Sequence, residues 1–151
     1  SKNLSNDNPS VNLANWISGI PVIYYPWGLE AGAIRFKNSL QENAKTHATV
    51  ENIIESGHNG IVSWERDSTM TPILLTGTDD HKKTKDRWNI IREYFEMKNI
   101  QYKEISTIDG GILSKIMSMI YVLDYCSIYY AIKLGINPSP IESIDFIKER
   151  L

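Results

Sequence analysis

Residues 20–45 read IPVIYYPWGLEAGAIRFKNSLQENAK, and this stretch decides the fold. Its first six residues, 20–25, are apolar and rich in β-branched and aromatic side chains, which is typical of a strand buried on both faces. Pro26 and Gly28 interrupt the run. From 28 to 45 the apolar residues recur every three or four positions, which predicts an amphipathic helix. Strand, turn and helix in this order form the unit of a parallel α/β sheet.

The rest of the chain repeats this alternation. We predict further strands and helices, with an irregular loop between two of them: strands at 72–76 and 102–105, helices at 9–19, 50–56, 81–98, 112–134 and 140–151, and the loop at 58–64. The predicted strands are too uniformly apolar for a sheet with one wet face. The sequence therefore predicts a three-layer α/β/α sandwich with a mainly parallel sheet, of the doubly wound, flavodoxin-like kind.

Composition limits the partners that the protein can have. The 151 residues carry 16 basic and 18 acidic side chains, a net charge of -2, so the electrostatic signature of a nucleic-acid or anionic-membrane partner is missing. The helix predicted at 112–134 is apolar almost all round, but Lys115, Asp124 and several serines favour a buried central helix over a membrane span. A single cysteine and the lack of a signal-peptide pattern predict a cytoplasmic location.

The length of the chain suits one domain. A chain of 151 residues can bury one core and is too short for two ordinary domains. We expect residues 1–7 to be a polar, disordered lead and residues 8–151 to form the domain. Because the chain opens on Ser1 rather than methionine, we expect it to be a fragment of a longer product or to follow a tag scar.

The sequence lacks the motifs that would give several chemistries their strongest support. No dinucleotide-binding, P-loop, serine-hydrolase or dithiol motif is present. His47, His58 and Cys126 do not stand at metal-ligand spacings, so no metal is expected. Ligands of doubly wound folds bind beyond the carboxyl ends of strands. The loops after Tyr25 and Thr76 are therefore the first places to look for a site.

Several other side chains allow both a structural and a functional interpretation. The run ENAK at 42–45 is most simply a solvated helix end whose lysine complements the helix dipole. His58 can act as an acid or base near neutral pH, although a loop histidine is usually ordinary. Asp80 and His81 are expected to open a helix, with anion binding as the alternative. A hydrogen-bonded structural role is favoured for Asp124. Three aromatic side chains fit a core better than a sugar pocket: Tyr24, Tyr25 and Trp27.

The motifs become specific when they are taken together and in order. Residues 42–45 read ENAK, residues 57–64 read GHNGIVSW, and residues 135–151 read GINPSPIESIDFIKERL. With the strand at 20–25, this series resembles the carboxyl-terminal domain of the archaeal and bacterial bifunctional phosphoglucose/phosphomannose isomerases, which are sugar isomerase (SIS) proteins. The resemblance runs from about residue 8 to residue 151. It implies the second half of a two-domain enzyme.

The resemblance also implies roles for individual residues. Glu42 matches the glutamate that moves a proton between C1 and C2 of a hexose 6-phosphate, and His58 matches the histidine associated with ring opening. Lys148 matches an active-site lysine near the carboxyl terminus. A hydroxyl such as that of Ser139 is expected to help admit the mannose epimer. Two amides are further candidates for substrate binding: Asn43 and Asn59.

The family further implies chemistry without a metal or organic cofactor. Its partners are expected to be a sugar phosphate, an amino-terminal SIS domain of the same gene product and a second copy in a homodimer. Two departures bear on substrate preference: Tyr25, Pro26 and Trp27 stand where the family commonly has glycine and serine, and Gly60 stands where it has an acidic residue. The alternative function is a non-catalytic SIS module that binds sugar phosphates or forms dimers.

Overall fold

The computed structural model describes residues 8–151, so the lead predicted at 1–7 lies outside the described residues. In chain order the elements are α1 (Pro9–Trp16), β1 (Ile20–Tyr25), α2 (Glu30–Ala44), β2 (Thr49–Asn52), α3 (Ile53–Ser56), a 3₁₀ helix (Gly60–Glu65), β3 (Met70–Thr76), α4 (Lys82–Met97), β4 (Lys103–Ser106), α5 (Ile112–Lys133) and α6 (Glu142–Lys148). Strands and helices alternate through the centre of the chain as predicted.

The strands form one parallel sheet in the order β2-β1-β3-β4. The central strands β1 and β3 pair in register, with Ile23 opposite Ile73. Both strands are buried along almost their whole length. A strand buried on both faces needs a helical layer on each side. This requirement produces the three-layer α/β/α sandwich that the sequence predicts.

One apolar core lies between the sheet and the helices α1, α2 and α5. Ile23 and Ile73 from the sheet meet Phe36, Leu40 and Leu123 from the helices there, and all five are fully buried. The spacing that predicted the second helix is thus the spacing of the α2 residues that enter this core. The apolar stripe of α2 faces the sheet and leaves its polar face to solvent.

A second core lies on the other face of the sheet, under α3, α4 and the 3₁₀ helix. Tyr24 and Trp64 are buried there, and the Trp64 indole N–H donates a 2.7 Å hydrogen bond to the Tyr24 hydroxyl. Phe95 of α4 packs edge-on against Trp64, with ring centroids 5.5 Å apart. Burial raises the pKa of Tyr24 to about 12. Tyr24 is therefore a core residue, as expected.

The helix predicted at 50–56 is wrong in its first half. Residues 49–52 form β2, which pairs in parallel with β1, and the helix α3 is confined to Ile53–Ser56. Asn52 ends the strand and caps the helix, because its side-chain oxygen accepts a hydrogen bond from the Ile54 amide. A four-residue strand is too short for its apolar spacing to differ from that of a helix turn.

The prediction of a buried central helix at 112–134 is also wrong in part. The inner face of α5 contributes Met119, Leu123 and Cys126 to the first core. Its outer face carries an exposed apolar row, named here the α5 stripe: Leu113, Met117, Tyr121, Ile128 and Ile132. Within residues 8–151, α5 is the helix whose length and hydropathy would suffice to cross a membrane. Because α5 is apolar on two faces, its sequence does not show which face packs against the rest of the domain.

The last helix is shorter than predicted. The sequence favours a helix over 140–151, but α6 occupies Glu142–Lys148 and none of its residues is buried. The 58–64 segment, predicted as a loop, contains the short 3₁₀ helix. Residues 8–19 match expectation more closely, because the Asn8 side chain caps α1 by accepting from the Ser10 and Val11 amides.

The central strand pair should dominate the stability of this domain. Ile73→Ala removes a fully buried side chain from β3 and should lower the free energy of unfolding by about 2 to 5 kcal/mol. The matched control is Ile90→Ala on α4, where the side chain is 63% exposed and the change should stay within about 0.5 kcal/mol. Urea unfolding measures both. Equal effects of the two substitutions would contradict the placement of the core.

Candidate active site

A cavity of about 770 Å³ lies where α2 ends and the chain returns after α5. The residues that line it come from the last turns of α2 and from the start of the carboxyl-terminal segment: Asn38, Gln41, Glu42, Lys45 and residues 140–144. The cavity is therefore bounded by a well-packed helix on one side and by an exposed segment on the other. Its lining combines two carboxylates, an ammonium and two side-chain amides.

Glu42 reaches this cavity because of the way α2 is packed. Leu40 and Ala44 are fully buried against the sheet, and Glu42 between them is exposed. The helix ends two residues later, at Ala44, and the next residue, Lys45, adopts the left-handed conformation with φ 53° and ψ 30° while its amide donates to the Leu40 carbonyl. A carboxylate exposed at the wall of a cavity is available as a base toward a bound molecule.

Asn43 is already engaged in a contact between helices. Its side-chain amide donates to the Ser127 hydroxyl at 2.7 Å, and Ser127 in turn donates to the Asp124 carbonyl at 2.7 Å. Asn43 thus links the end of α2 to α5, directly beside Glu42. Its proposed contact with a substrate remains a prediction.

Asp124 has the structural role that the sequence favoured. Arg35 donates from two of its nitrogens to the carboxylate of Asp124, at distances of 2.9 to 3.2 Å, and Ser39 donates to it at 2.6 Å. The pKa of Arg35 is raised by this hydrogen-bonded carboxylate. Asp124 and Arg35 join α5 to α2 and so help to fix the helix that carries Glu42.

His58 and Glu42 are not brought together within one chain. Glu42 precedes β2, whereas His58 follows β2 and α3, so the two side chains lie toward opposite ends of that strand. His58 and Asn59 are both exposed, and neither lines the cavity beside Glu42. A spacing of sixteen residues along the chain therefore does not translate into a shared site.

Two other predicted residues belong to the carboxyl-terminal segment but do not line the cavity. Ser139 directly precedes the lining segment and is exposed, and its amide donates to the Asn137 side chain at 3.0 Å. Lys148 lies at the end of α6 and is exposed. Both therefore belong to the carboxyl-terminal segment that faces Glu42, one before and one after the residues at the cavity wall.

The loops after β1 and β3 contribute no residues to the lining of the Glu42 cavity. Trp27, which follows β1, is 86% exposed, so the prediction that it lies in the core is wrong. Tyr25 is buried, as predicted. Asp80 accepts from the Gly77 amide and from the Trp88 indole N–H, both at 3.0 Å, and His81 caps α4. The prediction that Asp80 and His81 open this helix is confirmed.

Two charged residues in the interior were not singled out by their chemistry in the sequence. Lys115 on α5 is buried and forms an ion pair with Asp79 in the loop after β3, which lowers the pKa of Asp79. Glu51 on β2 is half-buried, and its Oε2 atom has no hydrogen-bond partner within the described structure. Glu51 was not recognised as a partly buried carboxylate because its segment was predicted as a helix.

Glu51 lies against the turn that carries His58. A Cβ added at Gly60 would collide with the Glu51 carboxylate, so the turn closes over this group because residue 60 has no side chain. Burial raises the pKa of Glu51 above its ordinary value. The acidic residue that the family resemblance leads one to expect at 60 would meet a carboxylate already in that space.

Within residues 8–151 no group of three or more histidine, cysteine, aspartate or glutamate side chains is placed to hold a metal ion. Cys126 is buried in the first core, and burial raises the pKa of its thiol. The charged side chains that line the cavity are those of Glu42, Glu142 and Lys45.

Nearly the whole chain matches a known family. Residues 6–151 match the family described as the bacterial phospho-glucose isomerase C-terminal SIS domain. The chain belongs to this family. A bifunctional phosphoglucose/phosphomannose isomerase of Caldicellulosiruptor bescii is 31% identical over 137 residues, and one of Aquifex aeolicus is 27% identical over 143 residues.

The lengths of these relatives set the scale of the comparison. The alignments cover 87% and 92% of this SIS domain but 40% and 45% of the relatives. The chain therefore spans less than half the length of the curated relatives it matches.

Solved structures share the architecture of this SIS domain. A glucose-6-phosphate isomerase-like protein from Thermus thermophilus aligns with a TM-score of 0.71 at 16% identity, over 89% of this chain and 46% of that one. Tagatose-6-phosphate ketose/aldose isomerase from Escherichia coli aligns with a TM-score of 0.65 at 11% identity, over 87% of this chain and 41% of that one. The predicted SIS fold is confirmed.

The partly buried carboxylate of Glu51 should make stability depend on pH. Because its pKa is raised in the folded state, the folded protein holds this proton more tightly, and stability falls as pH rises through the folded pKa. Glu51→Gln should therefore stabilise the domain by about 1 kcal/mol at about pH 8, where an unmet charge is removed, and have little effect at about pH 4.

The control for this measurement is Glu55→Gln, which changes an exposed carboxylate on the adjoining helix α3. Thermal unfolding at the two pH values compares the variants with the parent. A stabilisation by Glu51→Gln of the same size at both pH values would show that the ionised form carries no penalty.

Proposed function

We propose that the full-length protein interconverts glucose 6-phosphate or mannose 6-phosphate with fructose 6-phosphate, and that this chain supplies the carboxyl-terminal part of the site. The observation that carries the proposal is the exposed Glu42 carboxylate at the wall of a 770 Å³ cavity, in a domain of the phosphoglucose isomerase family. Aldose-ketose isomerisation needs a carboxylate beside an acidic carbon.

The reaction moves one carbon-bound proton. Glu42 removes the C2 proton of the open-chain aldose, the electron pair of that bond forms a C1–C2 double bond, and the C1=O π pair moves to O1, which gives an enediolate. O1 gains the proton that O2 loses. Glu42 then returns its proton to C1, which gives the ketose and restores the carboxylate. The sum of these steps consumes no oxidant and no water.

His58 and Lys148 have supporting roles in this proposal. His58 transfers the proton that opens the sugar ring, and Lys148 supplies a cation near the oxygens that become negatively charged. Since Glu42 and His58 lie toward opposite ends of β2, we propose that the His58 beside a given Glu42 comes from a second copy in a homodimer. Asn43, Asn59 and Ser139 are proposed to contact the sugar hydroxyls.

The remaining part of the site is assigned to an amino-terminal SIS domain of the same gene product. The curated relatives are more than twice as long as the stretch that matches this chain. A sugar phosphate is held largely by its dianion, for which we propose a site on that other domain. The α5 stripe supports an additional partner, because exposed apolar rows of this extent are normally covered.

The alternative is a non-catalytic SIS module that binds sugar phosphates or forms dimers. The observation in its favour is the same α5 stripe, which a purely interacting domain would also need. The enzyme is preferred because a binding module has no use for a carboxylate positioned as a base at a cavity wall.

Glu42→Gln in the full-length protein should lower kcat by about 100-fold to 10,000-fold, because the amide cannot accept the carbon-bound proton. Coupled isomerase kinetics measure this loss. The control is Glu93→Gln, which removes an exposed carboxylate from α4, far along the chain from the cavity. Wild-type turnover in Glu42→Gln would exclude Glu42 as the base.

The shared site predicts complementation between two inactive full-length variants. Glu42→Gln and His58→Ala each spoil every site in a homodimer of one variant. After mixing and subunit exchange, a heterodimer should regain one site in which both residues are intact, so activity should reappear. If exchange is demonstrated by mass spectrometry and activity does not return, Glu42 and His58 act from the same chain.

A further inference from the structure

The carboxyl-terminal arm, residues 138–151, has few attachments to the body of the domain. None of the residues of α6 is buried, and Phe146 and Ile147 are each 57% exposed. Arg150 interacts within the arm, with the Phe146 carbonyl and ring. The arm nevertheless forms one wall of the Glu42 cavity through residues 140–144. The attachment of its first residues to the body of the domain therefore bears directly on the shape of this cavity.

Lys45 provides a contact at this point. Its ammonium donates to the Pro138 carbonyl at 3.3 Å. Among the side-chain hydrogen bonds described for residues 8–151, this one joins the arm to the end of α2. The same ammonium donates to the Glu42 carbonyl. A single cation thus connects the turn that carries the proposed base to the first residue of the arm.

The backbone conformation of Lys45 indicates that its side chain, rather than its backbone, accounts for a lysine at this position. Lys45 lies in the left-handed region, with φ 53°, at the position that ends α2. Glycine or asparagine is the usual residue in that conformation at a helix end, because a side chain there is strained. A lysine gains no backbone advantage at this position, whereas its ammonium reaches two carbonyls that a glycine would leave unbound.

We propose that Lys45 is a positioning residue that latches the carboxyl-terminal arm over the Glu42 cavity. The latch sets the distance between Glu42 on α2 and Lys148 on the arm, and it closes the side of the cavity formed by residues 140–144. The functional consequence rests on the proposed isomerase activity. The mechanical latch does not depend on it, so the two can be tested separately.

The diagnostic variant is Lys45→Gly in the full-length protein. Glycine keeps the left-handed helix end and removes the ammonium, so α2 should remain intact while the arm is released. Hydrogen exchange followed by mass spectrometry should show amide exchange in the arm accelerated by roughly tenfold or more, with exchange in α2 unchanged. Lys45→Arg keeps donor groups and should hold the arm close to its original protection.

A matched control comes from the same helix. Lys37→Ala removes another α2 lysine, one that does not line the cavity, and should leave exchange in the arm unchanged. Unchanged arm exchange in Lys45→Gly would overturn the latch. Acceleration of the same size in Lys37→Ala would overturn it as well, since the effect would then be unspecific.

Kinetics of the same variants test what the latch does. Lys45→Gly should lower kcat/KM by roughly 10-fold to 100-fold through misplacement of groups on the arm, and Lys45→Arg should recover most of this loss. Faster arm exchange with unchanged kinetics would overturn the positioning role. If the wild-type protein proves inactive while Lys45→Gly still releases the arm, the proposed isomerase function is refuted and the latch is supported.

Discussion

The burial of β1 and β3 on both faces is the constraint from which the rest of the structure follows. Ile23 and Ile73 face one core, and Tyr24 and Leu74 face the other, so neither side of this strand pair can be left to water. The chain must therefore cross back over the sheet after β1. The helix that makes this crossing, α2, ends next to the beginning of β2 with its polar face outward. Glu42 lies at the cavity because of that crossing.

Regular patterns in the sequence predicted the parts of the fold that are locally determined. The strand at 20–25 and the helix after it were recognisable because each presents one apolar periodicity over enough residues to be distinguished from the alternatives. The four-residue β2 was not, since its pairing with β1 is a contact between distant parts of the chain. The outer face of α5 was misjudged for a related reason: the apolar side chains of a sequence do not show whether the rest of the domain covers them.

The candidate site was predicted only in part, because contacts between distant parts of the chain are not visible in the sequence. Motif resemblance selected Glu42, and the structure places that residue at a cavity wall. The separation of Glu42 from His58 depends on which end of β2 each one occupies, which spacing in the sequence does not reveal. Lys45 was interpreted as a helix end, and it does donate to a carbonyl of the last turn, but its second contact, to Pro138, spans ninety-three residues. A contact of that range becomes visible in the folded chain.

We propose that a hexose 6-phosphate binds between the end of α2 and the carboxyl-terminal arm. Hydrogen exchange of the full-length protein with and without fructose 6-phosphate tests it directly. Binding at this position should slow exchange at the Lys45 and Thr46 amides, which bond to the Leu40 carbonyl, and in residues 139–148. Protection in this domain confined to the loop after β3, at residues 77–81, would place the sugar phosphate elsewhere and contradict binding beside Glu42.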